Sequence, residues 1–182
     1  FNIFTVDEPK LNDEGSIDWS SLKIRSSPLY RDFLESLGAT VIVQAPGDVY
    51  TSLERGVVNA NAYTVFGYAS FGWDKFTKYR VDPQFFKTDV LVSINKAKWD
   101  ALSPEAQKLL ADTAVEYERA SYDANLAESE KQAQAMIDGG QKVISLTGAG
   151  RDKFLGAAAQ ASWARMTKRD PSNIEQLKKF FR

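Results

Sequence analysis

Between Leu22 and Thr64, short apolar runs alternate with short amphipathic ones, and this alternation restricts the fold more than any other feature of the chain. Leu22-Lys23-Ile24-Arg25 alternates apolar and basic side chains like a strand. Ser27-Pro28 then supplies an N-cap with proline in the first helical turn. Leu29, Phe33, Leu34 and Leu37 share one face of the helix that follows, and Gly38 is its expected stop. Val41-Ile42-Val43 reads as a buried strand, Asp48 to Arg55 as a second short helix ended by Gly56, and Val57 to Thr64 as a third strand region. The order βαβαβ predicts an α/β domain with a mostly parallel sheet and helices on its faces. Such sheets bind ligands outside the carboxyl ends of their strands.

The flanking segments are less regular. Phe1 to Val6 has strand character from its first residue, as if the chain were entered in mid-fold. Asp7 to Ser21 reads as a surface connection. The aromatic-rich stretch Val65 to Lys87 is read as a helix followed by a loop at Pro83, Thr88 to Ile94 as a long strand, and Asn95 as the cap of a helical turn through Trp99. Ser103-Pro104-Glu105 opens a helix that nothing stops before Gly139-Gly140. At roughly 1.5 Å per residue it is about 50 Å long, longer than a lobe of this size is wide. Its stripe of Leu109, Thr113, Tyr117, Ala120 and Ala124 is expected to lie against mass outside this chain. Val143 to Leu146 gives one more strand, and Arg151 to Met166 and Ser172 to Phe181 give two more helices.

Composition removes several classes of function. Lysine plus arginine (23) nearly balances aspartate plus glutamate (24), so there is no basic field to condense on nucleic acid or anionic lipid. With no cysteine and no histidine, thiol nucleophiles, disulfides, histidine relays and the usual zinc sets are absent. Lack of cysteine suits an oxidising compartment. No apolar run reaches membrane-spanning length, and no signal peptide is visible at Phe1. Gly148-Ala149-Gly150 is too short for a phosphate loop, and Glu116, Glu118, Asp123, Glu128 and Glu130 form a solvated helix face rather than a metal site. No cofactor and no metal are expected.

Arg25 ends a strand just before a helix. Its planar fork can meet a carboxylate with two parallel charge-assisted hydrogen bonds, and free amides of a first helical turn add positive potential. Taken alone, such an arginine can equally do no more than solvate a strand end.

The surrounding residues favour the anchor. Leu22 through Tyr30, then Leu37-Gly38-Ala39-Thr40, then Asp48 through Asn59 together resemble the DctP-type solute-binding proteins of TRAP (tripartite ATP-independent periplasmic) transporters. Val92-Ser93-Ile94-Asn95-Lys96 through Trp99, and Leu102 through Gln107 with the long alanine-rich helix, are similar to the same family. The resemblance implies a periplasmic-binding-protein-like, two-lobed type II fold. This chain would be a fragment of it, in which one long lobe-crossing helix accompanies a mixed, mostly parallel sheet flanked by helices. Residues 1–87 and 140–170 would form the ligand-binding second lobe with its linking strand, 88–139 the crossover strand and long helix, and 171–182 a C-terminal helix, with the N-terminal lobe missing. It further implies a periplasmic protein, its signal peptide removed, that closes over a small carboxylate such as a sugar acid or a keto or hydroxy acid and delivers it to the TRAP membrane permease subunits. Arg25 inherits the carboxylate grip. Members that use a metal do so through a glutamate that is Ala62 here, and an aromatic common in the family is Pro46 here.

Four further residues are candidates for the ligand. Tyr63 offers a hydroxyl at the strand end, Asn61 an amide on the same strand face, Trp73 an aromatic wall, and Asp89 an acceptor for a ligand hydroxyl. Trp73 is equally readable as ordinary core and Asp89 as a hinge or surface carboxylate. Tyr79-Arg80 can supply a second cation, unless Arg80 pairs with Asp74 or Asp82. A binding protein without catalysis is the leading expectation. The alternative is a lyase or hydrolase acting on a carboxylate substrate with Asp82 or Asp89 as base, although no matched acid partner is visible. A homodimer through the long helix is a further possibility.

Overall fold

The computed structural model describes residues 1–180, so the last residue of the expected terminal helix, Phe181, lies outside the described residues. The elements run β1 (Asn2–Thr5), β2 (Lys23–Ser26), α1 (Arg31–Ser36), β3 (Thr40–Val43), α2 (Val49–Glu54), β4 (Ala60–Tyr63), β5 (Tyr79–Asp82), α3 (Lys96–Asp100), α4 (Pro104–Asp138), β6 (Lys142–Ser145), α5 (Gly148–Arg169) and α6 (Ile174–Leu177). They build a six-stranded sheet of order β3-β2-β4-β1-β5-β6. β2 pairs in parallel with β3 and with β4, and β5 with β6, while β1 runs antiparallel between β4 and β5. The βαβαβ core therefore forms as the sequence pattern requires, and β1 makes the sheet mixed.

Strand alternation sorts the side chains into two cores. Ile3, Ile24, Ala60, Ala62 and Val81 turn to the face covered by α1 and α5, where they meet Phe33, Leu34 and Phe154. Phe4 turns to the opposite face and packs with Val49, Leu53, Val58, Tyr68 and Trp73.

Three expectations are corrected. Val65 to Lys87 is not a helix: two 3₁₀ turns, Ala69–Phe71 and Trp73–Lys75, lead into β5. Trp73 and Tyr68 bury themselves under the sheet, and a continuous helix would carry part of the aromatic set away from it. Thr88 to Ile94 is not a paired strand among the described residues; Val90, Leu91 and Val92 are 94%, 83% and 91% exposed. β-branched residues favour a strand only where a neighbour supplies the ladder and the packing. Ser27 does not cap α1. It accepts the Leu29 amide within a preceding turn, and the helix begins at Arg31 because Tyr30 is drawn into the core.

The long helix forms over 35 residues with Ser103 as its cap, accepting from the Ala106 amide. Its C-terminal end holds the lobe through buried Met136 and through Gln132, which accepts the Gly67 amide. The expected stripe is uncovered here, with Leu109 and Tyr117 exposed.

One close approach fixes the entry to α5. The Asn12–Ser16 turn lies on its first residues: Gly150 N donates to Glu14 O and Thr147 N to Gly15 O. A Cβ on Gly150 would meet Ser16 N at 2.5 Å and Gly15 C at 2.6 Å, whereas one on Gly156, further along the helix, would meet nothing within 4 Å. The same substitution is thus expected to act with opposite signs. In denaturant unfolding, Gly150→Ala loses about 1–3 kcal/mol by overpacking, and Gly156→Ala gains about 0.5–1 kcal/mol of helix propensity.

Candidate functional site

The register of four strands sets Arg25 beside Asn61, Asn61 beside Phe4, and Phe4 beside Arg80, all on one sheet face, with Tyr63 opposite Asn2 in the next row. Arg25 is 2% exposed. Its Nε and Nη2 both donate to the backbone oxygen of Gln44, at 3.0 and 2.6 Å, where the chain leaves β3. Nη1 is buried without a hydrogen-bond partner. Among the described residues no carboxylate pairs with this guanidinium. Burial pulls its pKa below the ordinary arginine range, an effect the nearby Tyr30 and Tyr63 phenols partly oppose. A buried charge ordinarily has an acid partner, because taking it out of water costs several kcal/mol. Here that partner is missing.

Tyr63 and Tyr30 flank the cation. Arg25 Cζ lies 5.6 Å from the centroid of the Tyr63 ring, a cation–π contact. Tyr30 Oη donates to Ala62 O at 2.8 Å, which ties that ring to the end of the interior strand β4. Tyr63 is itself held edge-on by Trp73 at 4.9 Å and by Phe71 at 5.9 Å. Arg25, Gln44 and Tyr63 open onto a cavity of about 390 Å³ whose wall also includes Pro28, Val43 and Pro46, a size suited to a small ligand.

The candidates separate clearly in space. Arg25 and Tyr63 line the cavity. Asn61 is fully buried beneath it, beside the Tyr68 hydroxyl, but neither its oxygen nor its nitrogen makes a hydrogen bond of standard geometry. Trp73 is 1% exposed and does not reach the cavity wall; it backs Tyr63 instead. Asp89 lies exposed in the unpaired segment after β5 and is not brought to Arg25. Arg80 pairs with Asp82 at 3.1 Å rather than with Asp74, and Asn2 donates to the same carboxylate at 2.6 Å, so Asp82 is occupied within the protein. No group of three or more metal-ligating side chains gathers among the described residues.

Gln44 and Tyr30 join the site from outside the set of sequence candidates. Gln44 directly follows Val41-Ile42-Val43, one position past the Ser26–Val43 pair, and it serves Arg25 through its backbone carbonyl, which leaves no mark in the side-chain pattern. Its side chain donates to Ser52 Oγ on α2, which pins the carbonyl that holds Arg25.

A family model described as bacterial extracellular solute-binding protein, family 7 (DctP), matches residues 17–170. The 2,3-diketo-L-gulonate-binding periplasmic protein YiaO of Escherichia coli is 31% identical over 132 residues, 70% of this chain and 40% of that protein. A TRAP periplasmic solute-binding protein from Desulfovibrio salexigens, solved with bound orotic acid, superposes with a TM-score of 0.77 at 18% identity, covering 99% of this chain and 57% of its own. One from Chromohalobacter salexigens with bound D-glucuronate gives 0.75 at 19%, covering 97% and 57%. These structures share the fold. The chain spans about half the length of the curated relatives it matches.

Tyr68 lies under Asn61 and donates to Thr77 Oγ1, which in turn donates to Trp73 O. Burial raises the pKa of Tyr68, and likewise that of Tyr30. Both phenols stay protonated in the fold where the unfolded chain would release the proton, near pH 10. Their stabilising effect is complete below about pH 10 and is lost as pH rises through the folded-state values. Denaturant midpoints measured from pH 9 to about 11.5 are expected to fall, less steeply in Tyr68→Phe than in the wild type.

Proposed function

Because the chain belongs to bacterial extracellular solute-binding protein family 7, we propose that it is the carboxylate-gripping lobe of a TRAP transporter's periplasmic receptor. The observation that carries this reading is the Arg25 guanidinium: buried, without an acid, with Nη1 unpartnered, in a residue that borders a small cavity. An anionic ligand supplies the missing charge, and charge-assisted hydrogen bonds to a carboxylate are about twice as strong as neutral ones. Tyr63 is the proposed second contact. Asn61 and Trp73 support the site from behind, Asn61 beside Arg25 and Trp73 against Tyr63. The solutes bound by YiaO and in the two solved structures, diketogulonate, orotate and glucuronate, are in keeping with an organic acid.

The proposed mechanism is capture by closure. Residues 1–87 and 140–170 form one lobe, and residues 88–139 cross toward a second. A ligand that touches both lobes stabilises the closed state by its differential affinity for that state. The closed receptor then meets the membrane permease. Uncovered Leu109 and Tyr117 on α4 offer a surface to the second lobe or to a second copy of the chain. A periplasmic location follows from the same reading. Catalysis does not, since Asp82 is held by Arg80 and Asn2, and Asp89 stands away from the cavity.

In the full-length protein, Arg25→Ala is expected to weaken binding of the acid by about 100-fold in calorimetry, the equivalent of about 3 kcal/mol. Ligand recovered from the wild type should be chemically unchanged by mass spectrometry. Undiminished binding by the variant contradicts the assignment of Arg25.

A further inference from the structure

On the premise that Arg25 grips a carboxylate, we propose that the acid is a flat, weakly hydroxylated one: an aromatic or heteroaromatic monocarboxylate rather than a sugar acid or a dicarboxylate. The wall that this lobe presents is apolar. Beyond Arg25, the cavity is bordered by Pro28, Leu29, Val43, Ala45, Pro46 and Tyr63. Most of the polar groups that border it are engaged elsewhere. Ser27 Oγ accepts the Leu29 amide, Tyr30 Oη donates to Ala62 O, and Gln44 donates its side-chain amide to Ser52 while its backbone carbonyl holds Arg25, which leaves the side-chain oxygen of Gln44 as a buried acceptor without a partner.

A sugar acid brings several hydroxyls out of water together. Each one left without a partner weakens binding roughly tenfold. On this lobe Tyr63 Oη, which has no protein partner among the described residues, and Gln44 Oε1 can answer two of them and leave the rest. A second carboxylate fares no better, because Arg80, the other arginine on this sheet face, is neutralised by Asp82.

A ring acid fits what remains. Carboxylate and ring are coplanar in such a molecule, so an oxygen held at Arg25 Nη1 sets the ring alongside Tyr63, whose own plane lies under the guanidinium at 5.6 Å. Trp73 and Phe71 hold Tyr63 edge-on and keep that plane fixed. Offset or edge-to-face contact between rings then adds to the contact with the apolar wall.

The test is calorimetry on the full-length protein with four probes: benzoate, nicotinate, D-glucuronate and D-galacturonate. The ring acids are expected to bind at least about tenfold tighter than the hexuronates. Tyr63→Leu should reduce that preference to less than about threefold, and Tyr63→Phe should keep it, with melting temperatures reporting that both variants fold. Hexuronate binding equal to or tighter than that of the ring acids overturns the proposal and leaves the carboxylate grip standing. A preference that survives Tyr63→Leu overturns it as well, as does a wild type that takes up none of the four. Probe binding undiminished by Arg25→Ala overturns the grip on which it rests.

Discussion

Arg25 carries a full positive charge at 2% exposure, with two of its three nitrogens on one backbone carbonyl and the third without a hydrogen bond of standard geometry. A protein that needed this residue only for stability would do better with an apolar side chain of similar volume, since buried ions are often replaceable at no loss. The surrounding structure instead works to keep the cation where it is. β3 ends at the right level to place the Gln44 carbonyl under the fork, Ser52 on α2 pins Gln44, and Tyr63 lays its ring against the guanidinium. Strain kept at one place and compensated elsewhere is a common mark of a functional position.

The sheet order explains how the site is assembled. β2 and β4 are adjacent and parallel, so the carboxyl end of β2, the exit of β3 and Tyr63 at the end of β4 converge at one edge of the lobe. That is the place where open α/β sheets take ligands. β1, antiparallel between β4 and β5, buries Asn2 against Asp82 and carries Phe4 under the sheet. The aromatic set that follows β4 has a matching role: Trp73 and Phe71 pack edge-on against Tyr63 beside the cation.

Much of this was legible in the sequence, for reasons that can be located. The period-2 strands and the capped or glycine-stopped helices between Leu22 and Thr64 are local signals, and they produced the parallel core and the position of Arg25. Ser103-Pro104 likewise marked the start of α4. β5 is hidden in the sequence because Tyr79-Arg80-Val81-Asp82 is short and follows an aromatic run that resembles a helix. Its arginine and aspartate are explained only by each other and by Asn2, from the far end of the chain. Residues 88–94 mislead for the opposite reason. Val90, Leu91 and Val92 have strand propensity, but propensity does not supply a neighbouring strand. The role of Gln44 rests on a backbone carbonyl, which no side-chain pattern encodes. The likeness to solute-binding proteins came from motif order rather than periodicity, and the family match to residues 17–170 bears it out.

The account turns on what satisfies Arg25 Nη1. A crystal structure of the full-length protein with its copurified or added organic acid addresses this directly. The account predicts a carboxylate oxygen within hydrogen-bond distance of Nη1, roughly 2.7–2.9 Å, and the body of the acid against Tyr63. An acid bound elsewhere, with Nη1 still unpartnered or turned onto a protein carboxylate, contradicts it.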